Sequence, residues 1–123
     1  MGDNRPHRQL LAWQKSIDLA SAVYATTSTF PKEEIYALTS QMRRSAVSIA
    51  SNIAEGAARG SRKEFAHFLG IARGSLSELD TQLVIAQKIG YITAPQSLEE
   101  NINHIFKLLN DLITKVKADA STQ

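Results

Sequence analysis

Apolar residues recur every three or four positions through nearly the whole chain, and this periodicity sets the class of fold. Leu10, Trp13, Ile17, Ala20 and Tyr24 form a first stripe. Ile35, Leu38, Met42, Ala46, Ile49 and Ile53 form a second. Phe65, Phe68, Leu69, Ala72, Leu76, Leu79, Leu83 and Ala86 form a third. Leu98, Ile102, Ile105, Leu109, Leu112 and Val116 form a fourth. Such spacing places each set on one side of a helix of 3.6 residues per turn, and no stretch alternates as a half-buried strand would. The expected fold is all-α, with helices over about 11–28, 31–59, 61–89 and 95–118 in one domain spanning 1–123. Short connections make neighbours antiparallel, which gives an up-down-up-down four-helix bundle.

The boundaries carry their own chemistry. Pro31 suits the first position of a helix, and Glu33 and Glu34 suit its positive end. Ser61-Arg62-Lys63-Glu64 reads as a capping box, and Lys88-Ile89-Gly90 as a helix stop. Thr93 with Pro95, and Ser97 with Glu100, are both credible openings for the last helix. The tail from Ala118 to Gln123 is polar and is expected to fray.

Several function classes drop out early. The 123 residues contain no cysteine, which removes disulfide scaffolds and thiolate chemistry. No apolar run approaches the roughly 20 residues of a membrane helix, and the N-terminus lacks an apolar leader core, so a cytoplasmic protein without membrane contact is expected. Glu64-x-x-His67 matches half of a di-iron motif, but it stands alone and inside a capping box. Glu100 and His104 read as a surface pair. Gly56 and Gly60 are not followed by the Lys-Ser/Thr of a phosphate loop, and no nucleophile elbow is present. A protein that is not an enzyme, with no cofactor and no metal, is the expectation.

Net charge is only +2, yet it is concentrated. Arg43, Arg44, Arg59, Arg62, Lys63 and Arg73 fall in the central segment against only Glu55 and Glu64. These six are candidate contacts to nucleic-acid phosphates, while the absence of interleaved aromatics argues against base-specific readout. The other reading is a solvated face, with Arg43 or Arg44 paired to Glu78.

The two central helices also have more sides than one bundle core needs. Ser45, Ser48, Asn52, Glu55 and Arg59 make a second, polar stripe, with Gly56 beside it. Gly70 and Gly74 lie one turn apart, followed by Ser75 and Glu78, and Ile71, Val84, Ile85 and Ile89 add an apolar edge. One reading is an irregular core with a solvated polar side. The sharper reading is contact with another copy, glycines permitting close approach and Asn52, Glu55, Arg73 and Glu78 pairing in a buried network.

The run Gln41-Met42-Arg43-Arg44-Ser45, with Ser48-Ile49-Ala50-Ser51-Asn52-Ile53-Ala54-Glu55-Gly56, resembles the signature of the four-helix-bundle proteins encoded in bacterial 23S rRNA intervening sequences. Leu11-Ala12-Trp13-Gln14-Lys15, Phe30-Pro31 with Glu34, and Gly74-Ser75-Leu76-Ser77-Glu78-Leu79 agree with it in order and spacing. Ala50 departs from the proline of many members. The resemblance implies a homopentameric barrel, similar to the accessory variability protein of diversity-generating retroelements, which binds nucleic acid and a reverse transcriptase. The leading expectation is therefore a homo-oligomer that binds RNA or DNA through backbone phosphates. The alternative is a scaffold for a protein partner such as a reverse transcriptase or another nucleic-acid enzyme.

Overall fold

A computed structural model describes residues 5–121 of the chain. A 3-10 turn at Pro6–Gln9 leads into α1 (Leu11–Thr27). A second turn at Lys32–Glu34 precedes α2 (Leu38–Ala57), which is followed by α3 (Arg62–Lys88) and α4 (Gln96–Ser121). Each helix packs on the next and α4 closes onto α1, the pattern of an up-down four-helix bundle.

The core is built from the stripes, with two adjustments of face. On α3 and α4, Leu69, Leu76, Leu79, Ile105 and Leu109 are fully buried. Ile113 rather than Leu112 takes the inward position near the end of α4, with Leu112 packed at its margin. On α1 the buried set is Ala12, Ser16, Leu19, Val23 and Thr27, whereas Ile17 and Tyr24 stand at the surface. Small polar residues reach the core because their hydroxyls donate to carbonyls one turn back: Ser16 to Ala12 at 2.7 Å and Thr27 to Val23 at 2.8 Å. Once so satisfied they no longer carry the desolvation penalty of an unpaired hydroxyl. Deleting buried volume should be expensive: Leu76→Ala is expected to destabilise by about 2–5 kcal/mol, read as a lower denaturant midpoint at unchanged slope.

The second helix begins later than its proline suggests. Pro31 keeps an extended backbone, and Ala37 adopts φ −126°, ψ −110° before α2 opens at Leu38. Glu34 explains the offset. One carboxylate oxygen accepts from the Leu38 amide at 3.3 Å and the other from the Tyr91 hydroxyl at 2.8 Å. It therefore caps α2 from outside while tying that end to the loop after α3. Phe30, buried at this corner, packs its ring 5.2 Å from that of Tyr91.

Other helix ends follow the local chemistry. Ser61 accepts from the Glu64 amide at 3.1 Å. Gly90 has φ +88°, and bonds from Tyr91 to Ala86 and from Gly90 to Gln87 complete a Schellman stop. At α4 the Pro95 carbonyl accepts from Glu99, so the helix starts between the two expected openings. It continues through Ala118 to Ser121; Thr122 and Gln123 lie outside the described residues.

The Tyr91–Glu34 contact makes alkaline stability a test of this corner. The hydrogen bond to Glu34, with smaller contributions from burial and from the charges of Glu34 and Glu33, raises the Tyr91 pKa above its usual value near 10. The folded chain therefore holds this proton more tightly than the unfolded one. Its contribution is complete below pH 10 and is lost as pH rises through the raised value. Thermal melts from pH 8 to 11 should show a steeper alkaline fall for the wild type than for Tyr91→Phe; parallel curves would contradict the assignment.

Candidate nucleic-acid interface and the α2–α3 seam

The polar stripe of α2 meets α3 through three side chains. The Ser48 and Ser75 hydroxyls lie 2.8 Å apart, and the Asn52 amide donates to the Ser48 carbonyl at 2.8 Å and to its hydroxyl at 3.0 Å. Within one protomer, the four residues expected to pair against another copy, Asn52, Glu55, Arg73 and Glu78, have separate surroundings. Glu55 pairs with Arg59 one turn on, at 3.1 Å. Arg73 turns toward α4 and donates to Asn110 at 2.9 Å, while Glu78 is exposed.

The three glycines of this pair differ. A Cβ on Gly56 would lie 2.8 Å from Phe68 Cβ and 3.1 Å from Phe65 Cδ1, so this glycine serves the close approach of α2 to α3 within the chain. Cβ atoms at Gly70 and Gly74 would meet nothing within 4 Å. Beside them the apolar edge is unpartnered: Ile71, Val84, Ile85 and Ile89 are 41–51% exposed. A second apolar surface lies across α1 and α2, where Tyr24, Ile35 and Val47 line an open cavity of about 510 Å³ with Arg43 and Arg44. Nearby Tyr36 is 95% exposed.

The six basic candidates do not converge. Arg43 sits 4.7 Å over the Tyr24 ring and donates to the Thr27 hydroxyl at 2.9 Å, docking α2 on the end of α1. Arg44 is exposed beside it. Arg59 lies fifteen positions further along the chain, about 22 Å at the helical rise, where it covers the Phe68 ring at 4.8 Å. Arg62 is bridged to Asp119 on α4 at 3.2 Å and Lys63 is exposed. The tip between α2 and α3 thus gathers Arg59, Arg62 and Lys63, while Arg43, Arg44 and Arg73 lie elsewhere. The fold adds Lys117 and His67, which join Arg62 and Lys63 around a cavity of about 730 Å³. Sequence spacing gave no sign of this, since Lys117 comes from the far end of the chain.

Among the described residues no three His, Asp or Glu side chains come together as a metal site, and no helix is long and apolar enough to cross a membrane. His67 instead packs edge-on against Phe68 at 5.3 Å.

No curated protein matches the chain in sequence. A crystal structure of a protein of unknown function from the S23 ribosomal protein family of Bacteroides thetaiotaomicron is similar, with 27% identity and a TM-score of 0.77. The match covers 85% of this chain and 96% of that one. The sequence profile of the 23S rRNA-intervening sequence proteins matches residues 8–111, from just before α1 to well into α4. The stretch includes the Arg43–Arg44 pair, the Ser48–Asn52–Ser75 seam and the Gly56 approach, and on that match the chain belongs to the 23S rRNA-intervening sequence protein family.

Proposed function

We propose that this protein is a non-catalytic, cytoplasmic homo-oligomer that binds RNA or DNA through backbone phosphates, without sequence preference. The observation that carries the reading is the tip of the bundle, where Arg62 and Lys63 meet Lys117 from α4 around one cavity. Assembly is supported by the exposed apolar residues on two different faces, Tyr24, Ile35 and Val47 on one and Ile71, Ile85 and Ile89 on the other. Two unlike faces on one protomer suit head-to-tail contacts, which close into a ring when the rotation allows. Five copies is the number the family resemblance implies. Repetition of the basic tip around a ring multiplies individually weak phosphate contacts.

The test is solution mass by light scattering together with binding to mixed RNA and DNA across a salt series. A mass several times that of the protomer is expected. The logarithm of the binding constant should fall against log salt with a slope near −3 or steeper for each engaged protomer. An oligomer indifferent to both nucleic acids at low salt would end this reading. A second reading, a scaffold for a protein partner such as a reverse transcriptase or another nucleic-acid enzyme, is favoured by the open cavity where exposed Tyr24, Ile35 and Val47 stand with Arg43 and Arg44. Retention of one protein after nuclease treatment would select it.

A further inference from the structure

We propose that the cavity between the start of α3 and the end of α4 seats one nucleotide of a single-stranded nucleic acid, with the phosphate at its rim and the base against its floor. The proposal rests on the nucleic-acid reading above and adds which form is held and where. Its volume, about 730 Å³, lies within the usual range for small-molecule pockets. Ala66, Gly70 and Ala120 supply its small-residue lining, and a Cβ added at Gly70 would meet nothing within 4 Å. Arg62, Lys63 and Lys117 line the cavity as cationic groups, and the His67 imidazole lines it as well. Asp119 engages Arg62, and both side chains remain about half exposed. A phosphate at the rim would be held by charge alone. A flat apolar base would use the small-residue floor and stack on His67 without regard to sequence. A duplex keeps its bases paired and stacked, so it can offer this cavity only its phosphates.

The decisive variant is Gly70→Leu, which fills the floor without altering charge. Its side chain enters open space, and leucine favours the helix over glycine. Fluorescence anisotropy of the full chain with labelled mixed-sequence oligonucleotides, single-stranded and duplex, should show single-strand binding about tenfold weaker, the worth of one stacked base. Duplex binding should be unchanged. Equal affinities for wild type and variant would overturn the cavity proposal and leave the charge-based reading standing, as would equal weakening of both forms. Failure of the wild type to bind either form would overturn both. A second measurement does not depend on the variant folding. In wild-type NMR spectra, millimolar adenosine 5′-monophosphate should move the His67 ring signals, and inorganic phosphate should move them much less. Equal shifts from the two would reduce the cavity to an anion site and overturn the base seat.

Discussion

Gly56→Leu is expected to destabilise the fold by about 3 kcal/mol, the upper range for overpacking a well-filled core. Even the first added carbon lies 2.8 Å from Phe68 Cβ, 3.1 Å from Phe65 Cδ1 and 3.2 Å from the Phe65 carbonyl. Two of these three atoms, a Cβ and a backbone oxygen, cannot rotate away, so α2 and α3 must separate. The separation would loosen the packing of α2 on α3 and further expose the Phe65 and Phe68 rings. Glycine at this helical position already costs about 1 kcal/mol relative to alanine, and the sequence bears that cost in return for the close crossing. Gly56→Ala meets the same three contacts with its Cβ but adds nothing beyond it and gains about 1 kcal/mol of helical propensity, so it should lose less. The two variants are compared by chemical denaturation, against a total stability of about 5–15 kcal/mol for a domain of this kind. A leucine variant with the wild-type midpoint would show that the crossing relaxes freely.

Gly74→Leu should do the opposite to the chain and much more to the assembly. A Cβ there meets nothing within 4 Å, so the isolated bundle has room for leucine and gains about 0.5–1 kcal/mol of helix propensity. The same side chain would stand on the outer surface of α3, one turn from Ile71 and Glu78. If a neighbouring copy packs against this edge, the added volume keeps it away. The expected result is a folded, slightly more heat-resistant protein whose mass in light scattering falls toward that of one protomer. An unchanged mass would place the subunit contact elsewhere, most directly on the Tyr24–Ile35–Val47 surface. Within the Proposed function, loss of assembly should also weaken nucleic-acid binding, because each free protomer offers a single basic tip.

The paired glycines show the limit of what could be read from the chain. Four helices were legible because burial repeats every turn, and so were the Ser61 cap and the Gly90 stop, whose chemistry is confined to a few neighbouring residues. The family signature was legible as well. The buried side of α1 was not, because that helix has apolar residues on two faces. Its core face includes Ser16 and Thr27, which pattern alone scores as surface. The start of α2 was missed because Glu34 makes its second bond to Tyr91, fifty-seven positions away. Gly56 and Gly74 look equivalent in sequence; only the packing of α2 on α3 makes one a close crossing and leaves the other open. The basic cluster was half visible for the same reason: Arg62 and Lys63 are neighbours in the chain, but Lys117 reaches them only through the return of α4. Periodicity and caps act within one turn or two and belong to the sequence. Which faces meet, and which charges share a cavity, depends on how four rods fill space together.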